Sequence, residues 1–402
     1  MATQTRDAAI VGIHEYPSRD VEGKVSPLQI KAESAARALE DAGLTWGDVD
    51  AIYDAGDGGG MGGLTIAEYF GLKPSIIDTT QVGGSSYEFH ASHAKRGDVV
   101  VVTINHRLNV YGYLHLADIG GERFAGSGIA GMLDAVLALE WVRDNIEAFG
   151  GDPSNVTIFG ESGGGSKVST LLAMPSAKGL FHRAVVQSGP GLRGVEPSDA
   201  TELAEQLLDK LGIAKNELDK LQAVPFAQLT EAVGSLGVAA GMMRLAPVVD
   251  GSYLPAHPFD PVAAPTAANV PLIIGSNKDE SALFSATDKR RRRLTEEELL
   301  ERLERMLGDR RDEILAVYKR TRPNDSPWDL YIAITSEATR LRSIQLAERK
   351  AAGSAAPVFM YLFTYESEYL GGLFKSCHAL EIPFVFDNPD IAPFTGERPE
   401  RY

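Results

Sequence analysis

The chain has 402 residues, 44% of them hydrophobic and 23% charged, with a single cysteine and a formal net charge of −16 at pH 7. That balance fills one large core or several ordinary ones, which excludes disordered and collagen-like classes. The lone Cys377 forbids an intrachain disulfide and any cysteine-based metal cage. The acidic excess repels phosphate backbones and anionic bilayers, so neither a nucleic-acid nor a membrane partner is expected.

The opening MATQTRDAAIVGIHEYPSRD lacks the basic start, apolar stretch and cleavage site of a secretory leader. No apolar run approaches the roughly 20 residues that span a bilayer, and a soluble, cytoplasmic protein is expected. Runs rich in Val and Ile alternate with stretches of helical period. This is the pattern of an α/β protein with a mostly parallel sheet and helices on both faces. Strands are expected at residues 8–13, 49–55, 75–80, 98–105, 155–160, 183–189, 271–276 and 356–365. Ser26 caps a helix that starts at Pro27, runs to Ala42 and ends at Gly43. Residues 128–149 place Ile129, Leu133, Val136, Leu137, Val142 and Ile146 on one stripe ahead of Gly150. Residues 288–307 join a basic run to an amphipathic helix opened by the capping box Thr295 and Glu298. Given the global charge, the basic run reads as a solvated loop.

Residues 155–164 read Asn-Val-Thr-Ile-Phe-Gly-Glu-Ser-Gly-Gly and lead into a stretch able to form a helix. A β-rich run, Gly-x-Ser-x-Gly and then a helix make a nucleophile elbow, in which glycines allow the sharp turn that exposes the serine. Ser162 is the candidate nucleophile, and the amide of Gly163 at the helix start can face a developing oxyanion. A serine needs a base, and the order nucleophile, acid, histidine removes His14, His90, His93, His106 and His115, which precede Ser162. His182 lies beside a strand expected to be buried and His257 in a proline-rich loop, which leaves His378 in SCHALEIPFVFDN. The acid must fall between them. Asp279 and Glu280 both follow the strand at 271–276, and either carboxylate could orient an imidazole.

From about residue 96 to residue 388 the chain resembles the type-B carboxylesterases, serine hydrolases of the α/β-hydrolase fold. The resemblance is carried by GDVVVVTINHRLNVYGYL, LALEWVRDNIEAFGGDPSNVTIFGESGGG, KGLFHRAVVQSG, PVVDGSYLP, GSNKDESALF and HALEIPFVF. It implies Ser162 as nucleophile, His378 as base, Gly163 as an oxyanion donor and Glu280 as the acid. Glu280 ends the family's Gly-x-Asn-x-x-Glu pattern. The segment before it, with AAIVGIHEYPSR, ESAARALEDAGL, VDAIYDAGDGGGMGG and QVGGSSYEFHASHA, is similar to the amino-terminal part of thiolase-like proteins. Its turn at Val82 to Ser86 lacks the cysteine that thiolase chemistry uses.

A two-part organisation follows, with a thiolase-like segment over 1–95 completing the sheet of a carboxylesterase-type core over 96–402 that is shortened at its C-terminal end. The family's His-Gly-Gly-Gly loop, a source of oxyanion donors, is absent. Strand 75–80 is expected to pair beside strand 98–105, with a helix over 85–95 between them, so that Gly83 and Gly84 stand in for that loop. The glycine-rich run Asp57 to Gly63 is a second candidate. The expected activity is hydrolysis of small carboxylic esters through an acyl-enzyme, with no cofactor and no metal. The rival readings are a non-catalytic interaction protein of hydrolase fold and an acyl-CoA-binding module.

Overall fold

In the computed structural model the described residues are 27–49, 51–55, 76–80, 99–237, 244–387, 389 and 393–396. They belong to two compact units, Met1–Thr103 and Ile104–Tyr402. The expected strand at 8–13, the helix at 85–95 and the glycine runs at 57–63 and 83–84 lie outside the described residues.

In the first unit, helix α1 (Pro27–Ala42) stops at Gly43, whose φ of +70° closes the helix as expected. Strands β1 (Ala51–Ala55) and β2 (Ile76–Thr80) pair in parallel, Ala51 opposite Ile76 and Ala55 opposite Thr80. Among the described residues the strand paired with β2 is β1, and not residues 99–105. Residues 99–108 form no strand, and Val99, Val100, Val102 and Ile104 are all more than 40% exposed. Among the described residues no strand lies along this run. Valine-rich sequence alone cannot hold a ladder, because the stabilising bonds belong to the neighbour as much as to the strand.

The second unit is built on four parallel strands in sequential order: β3 (Thr157–Glu161), β4 (Arg183–Gln187), β5 (Leu272–Asn277) and β6 (Val358–Phe363). Parallel neighbours need long crossovers, and helices α3 (Gly163–Leu171), α4 (Pro197–Leu211) and α7 (Pro327–Ala352) lie in the three connections. Ile158, Ala184, Val186, Leu272 and Ile274 bury one face of the sheet. They form one cluster with Val168 and Leu171 of α3, Leu203 and Leu207 of α4 and Leu346 of α7. Each such aliphatic side chain stabilises the fold by roughly 1.5–3 kcal/mol. The opposite face differs. The register aligns Phe159, Val185, Ile273 and Phe359 in one row across all four strands. Phe159, Ile273 and Phe359 are 37%, 44% and 61% exposed.

Helix α2 (Ala130–Asn145) adds Met132, Val136 and Leu139 to the core and ends in a short turn before Gly150 at φ +80°. Leu137, expected on the buried stripe, is 64% exposed. It sits one residue, about 100° of helix rotation, past Val136, so both cannot face the sheet. Between β5 and α7 come α5 (Ser281–Phe284) and α6 (Glu296–Leu307). The expected capping box opens α6, with Glu298 N–H donating to the Thr295 hydroxyl at 3.2 Å and Thr295 N–H to the Glu298 carboxylate at 3.0 Å. Leu299, Leu303, Trp328, Ile332, Cys377 and Leu380 form a second core cluster at this end.

Candidate active site

The turn from β3 into α3 is the elbow that the motif describes. Ser162 takes φ +56° and ψ −119°, a conformation costly for a residue bearing a Cβ. Two hydrogen bonds hold it: Ser162 N–H donates to the Gln187 carbonyl at 2.8 Å, and Ser166 N–H donates to the Ser162 carbonyl at 3.1 Å. The glycines are there for space. A Cβ on Gly160 would lie 2.4 Å from the carbonyl carbon of Gly164, and one on Gly189 would lie 1.8 Å from the carbonyl oxygen of Ser162. Gly189 belongs to the elbow although the five-residue motif does not contain it. Its signal in the sequence is its position just past the end of the neighbouring strand β4, in KGLFHRAVVQSG. Gly163 is exposed at the first position of α3, where helix amides have no intrahelical acceptor.

The two acidic candidates after β5 separate by their partners. Glu280 accepts a 2.8 Å bond from Asn277 N–H on one oxygen and lies 2.6 Å from Nδ1 of His378 through the other. Asp279 instead exchanges backbone-level bonds with the loop opposite. Its N–H donates to the Ser376 carbonyl at 2.9 Å, and its carboxylate accepts Ser376 N–H at 3.3 Å. One carboxylate therefore orients the imidazole while the other staples residue 376 to the strand end. Phe284 of α5 packs on the His378 ring, centroid to centroid at 4.9 Å.

Among the described residues Nε2 of His378 makes no hydrogen bond, to Ser162 or to any other group. It lies 3.1 Å from Oε1 of Glu161, the residue bonded to Ser162. Base and nucleophile often come into full hydrogen-bond contact only when a substrate is bound. A third carboxyl, Glu381, is buried nearby, accepting from Asn277 Nδ2 at 2.6 Å and from Gln187 Nε2 at 3.3 Å. Asn277 is the Asn of the Gly-x-Asn-x-x-Glu pattern, whereas Glu161, Glu381 and Gln187 are singled out by no motif. Each of these three is an ordinary polar residue until the chain turns bring it inward.

The electrostatics follow from this crowding. Burial alone would lower the His378 pKa, but the hydrogen bond that Nδ1–H donates to Glu280 and the charges of Glu161, Glu280 and Glu381 outweigh it and hold the imidazole above its ordinary range. Burial pushes Glu161 up to about 7, with the imidazolium opposing the rise and Glu381 and Glu280 adding to it. Burial likewise raises Glu381 and takes the Cys377 thiol up to about 12, leaving it protonated. A general base must be neutral, and the Glu161 anion favours the charged imidazole. Replacing Glu161 by Gln is therefore expected to move the acid limb of the kcat/KM profile on a neutral ester to lower pH. An unmoved limb in the folded variant would show that Glu161 does not sense the imidazole.

The remaining sequence candidates fall elsewhere. His182 Nδ1 accepts Val156 N–H at 3.1 Å, and His257 Nε2 lies 3.0 Å from a Glu196 carboxylate oxygen. Gly83 and Gly84 lie outside the described residues. Among the described residues no group of three or more His, Cys, Asp or Glu could hold a metal ion.

The chain is similar to known esterases over most of its length. The para-nitrobenzyl esterase of Bacillus subtilis (strain 168) is 38% identical over 307 residues, which cover 74% of this chain and 59% of the relative. Among solved structures, a carboxylesterase of Geobacillus stearothermophilus is 44% identical with a TM-score of 0.65, covering 77% of this chain and 64% of that one. An esterase from anaerobic Clostridium hathewayi, described as able to hydrolyse aliphatic aromatic polyesters, is 36% identical with a TM-score of 0.60 and covers 77% and 61%. The chain thus spans less than two thirds of the length of these relatives. The profile of the carboxylesterase family matches residues 78–401, beginning upstream of residue 96 and so taking in part of the segment read as thiolase-like. With four fifths of its length matched by that profile, the chain belongs to the carboxylesterase family.

Proposed function

We propose that this chain hydrolyses small carboxylic esters through an acyl-enzyme on Ser162. His378 takes the hydroxyl proton during attack and returns it to the leaving alcohol; water, activated by the same imidazole, then releases the acid. Glu280 fixes the ring so that Nε2 is the free nitrogen and stabilises the imidazolium in both half-reactions. Gly163 N–H stabilises the oxyanion. The observation that carries this reading is the 2.6 Å Glu280 to His378 contact, with the opposite ring nitrogen held beside Glu161, next in the chain to a serine at φ +56°. An interaction protein without activity has no use for such a clamp.

The second oxyanion donor is the finer part of the reading. We infer that the thiolase-like stretch supplies it from Gly83 or Gly84, in place of the absent His-Gly-Gly-Gly loop. Glycine is the residue that lets a backbone amide approach a ligand closely. The test is rapid mixing with 4-nitrophenyl butyrate. A burst of 4-nitrophenol equal to the enzyme concentration, followed by slower turnover, is expected for an acyl-enzyme. A folded protein that releases no nitrophenol would sink the hydrolase reading. Gly83→Pro or Gly84→Pro should slow the burst by about 10²–10³-fold if the amide donates. An unchanged burst in both folded variants would remove them from the site and leave the rest standing.

A further inference from the structure

The basic run that reads in sequence as a solvated loop forms one wall of a cleft. Residues Lys289, Arg291, Arg292 and Arg293 line it together with Leu370 and Leu373, and it encloses about 500 Å³. That volume lies within the range of small-molecule sites, roughly 300–1,000 Å³. The basic run is sorted by partner. Arg290 pairs with Glu298 at 2.9 Å, and Arg302 reaches back to Asp288 at 2.5 Å. The four cations on the cleft have no carboxylate partner among the described residues. Arg291 and Arg292 spend donors on the carbonyls of Ala286 and Gly371, which leave their charge uncompensated.

Both walls are set by unusual backbone. Arg292 takes φ +62° on one side, while Leu370 and Gly371 take +51° and +67° on the other. The Arg292 to Gly371 bond ties the two walls together. Leu294, the next residue after the run, is buried in the second core cluster and anchors the loop from below. In a chain carrying −16, four like charges held on one rim repel each other until something neutralises them.

We propose that this cleft binds a small monoanion with an apolar body, a carboxylate, sulfonate or phosphate ester on an alkyl or aryl group. Guanidinium forks suit planar or tetrahedral oxyanions, and Leu370 and Leu373 supply the apolar wall that a bare inorganic ion would leave unused. The site does not depend on the ester-hydrolase reading.

The test uses isothermal titration of the full-length Ser162→Ala chain, so that hydrolysis plays no part. The titrants are 2-naphthalenesulfonate and the neutral 2-naphthalenemethanol. The sulfonate is expected to bind at one site at least about tenfold tighter than the alcohol, and to weaken as sodium chloride rises from about 0.03 to about 0.3 M. A K289Q/R291Q/R293Q variant, which keeps the tying Arg292, should lose roughly tenfold or more of that affinity. Leu370→Glu, a single exposed change, should weaken the sulfonate in the same direction and serves if the triple variant fails to fold. Equal affinity for the two titrants, or sulfonate binding untouched by these substitutions in folded protein, overturns the proposal.

Discussion

Ser162→Ala is expected to lower kcat on 4-nitrophenyl butyrate by on the order of 10⁴–10⁶ and to abolish covalent labelling by a fluorophosphonate probe. The size follows from the division of labour. The nucleophile and its base act as a unit, so removing either forfeits nearly everything that the pair contributes, whereas positioning and oxyanion donors leave a residue of about 10³–10⁴ over water. Stability should change little, within about 0.5 kcal/mol, because the two hydrogen bonds of Ser162 are made by its backbone and survive the substitution. Thermal unfolding monitored by circular dichroism checks this. A variant with the native midpoint and undiminished turnover would show that esterolysis occurs elsewhere on the chain.

Glu280→Gln should cost about 10³–10⁴ in kcat, and Asp279→Asn far less. The two residues are adjacent and both buried, so a general electrostatic effect of losing one carboxylate would treat them alike. Geometry does not. Only Glu280 touches the imidazole, and a neutral amide there presents a donor or acceptor that favours the wrong tautomer. Asp279 bonds backbone at Ser376, and burial raises its pKa despite the neighbouring lysines. Its loss should therefore appear as reduced stability rather than reduced turnover. Steady-state kinetics on both variants, paired with their unfolding midpoints, separates the roles; equal losses of kcat would remove the orienting function from Glu280.

How far the residues foretold this depends on the range of the interaction involved. The elbow was legible because its cause is local. A strand, a sharp turn and a helix require glycine within a few residues of the serine, and Gly160 meets Gly164 only four positions away. The strands β3 to β6 and helix α6 were legible for the same reason, each carrying its own hydrophobic period or cap. The choice between Asp279 and Glu280 came from the family resemblance and not from the residues themselves, since physically it depends on where Ser376 and His378 arrive from about a hundred residues downstream. Glu161 and Glu381 escaped notice because burial, which gives them their altered basicity, is a property of the packed chain. The run at 98–105 erred in the other direction. Its composition is that of an interior strand, and only the presence of a neighbour could have decided the matter. The basic run is the exposed turn that its composition suggested, but composition shows charge and not which cations find acids.

The row Phe159, Val185, Ile273 and Phe359, in which Phe159 packs on Phe386 while Ile273 and Phe359 are 44% and 61% exposed, sets two surface forces against each other. Copies of this molecule carry −16 each and push apart in dilute buffer, while a stripe of aromatic and aliphatic groups at strand spacing draws them together once they come close. Electrolyte weakens the first force and leaves the second intact or strengthened, and warming toward room temperature also favours the second. Solubility therefore turns on ionic strength and temperature well before the fold itself is at risk, and polar replacements along that stripe would ease it at little cost to the interior.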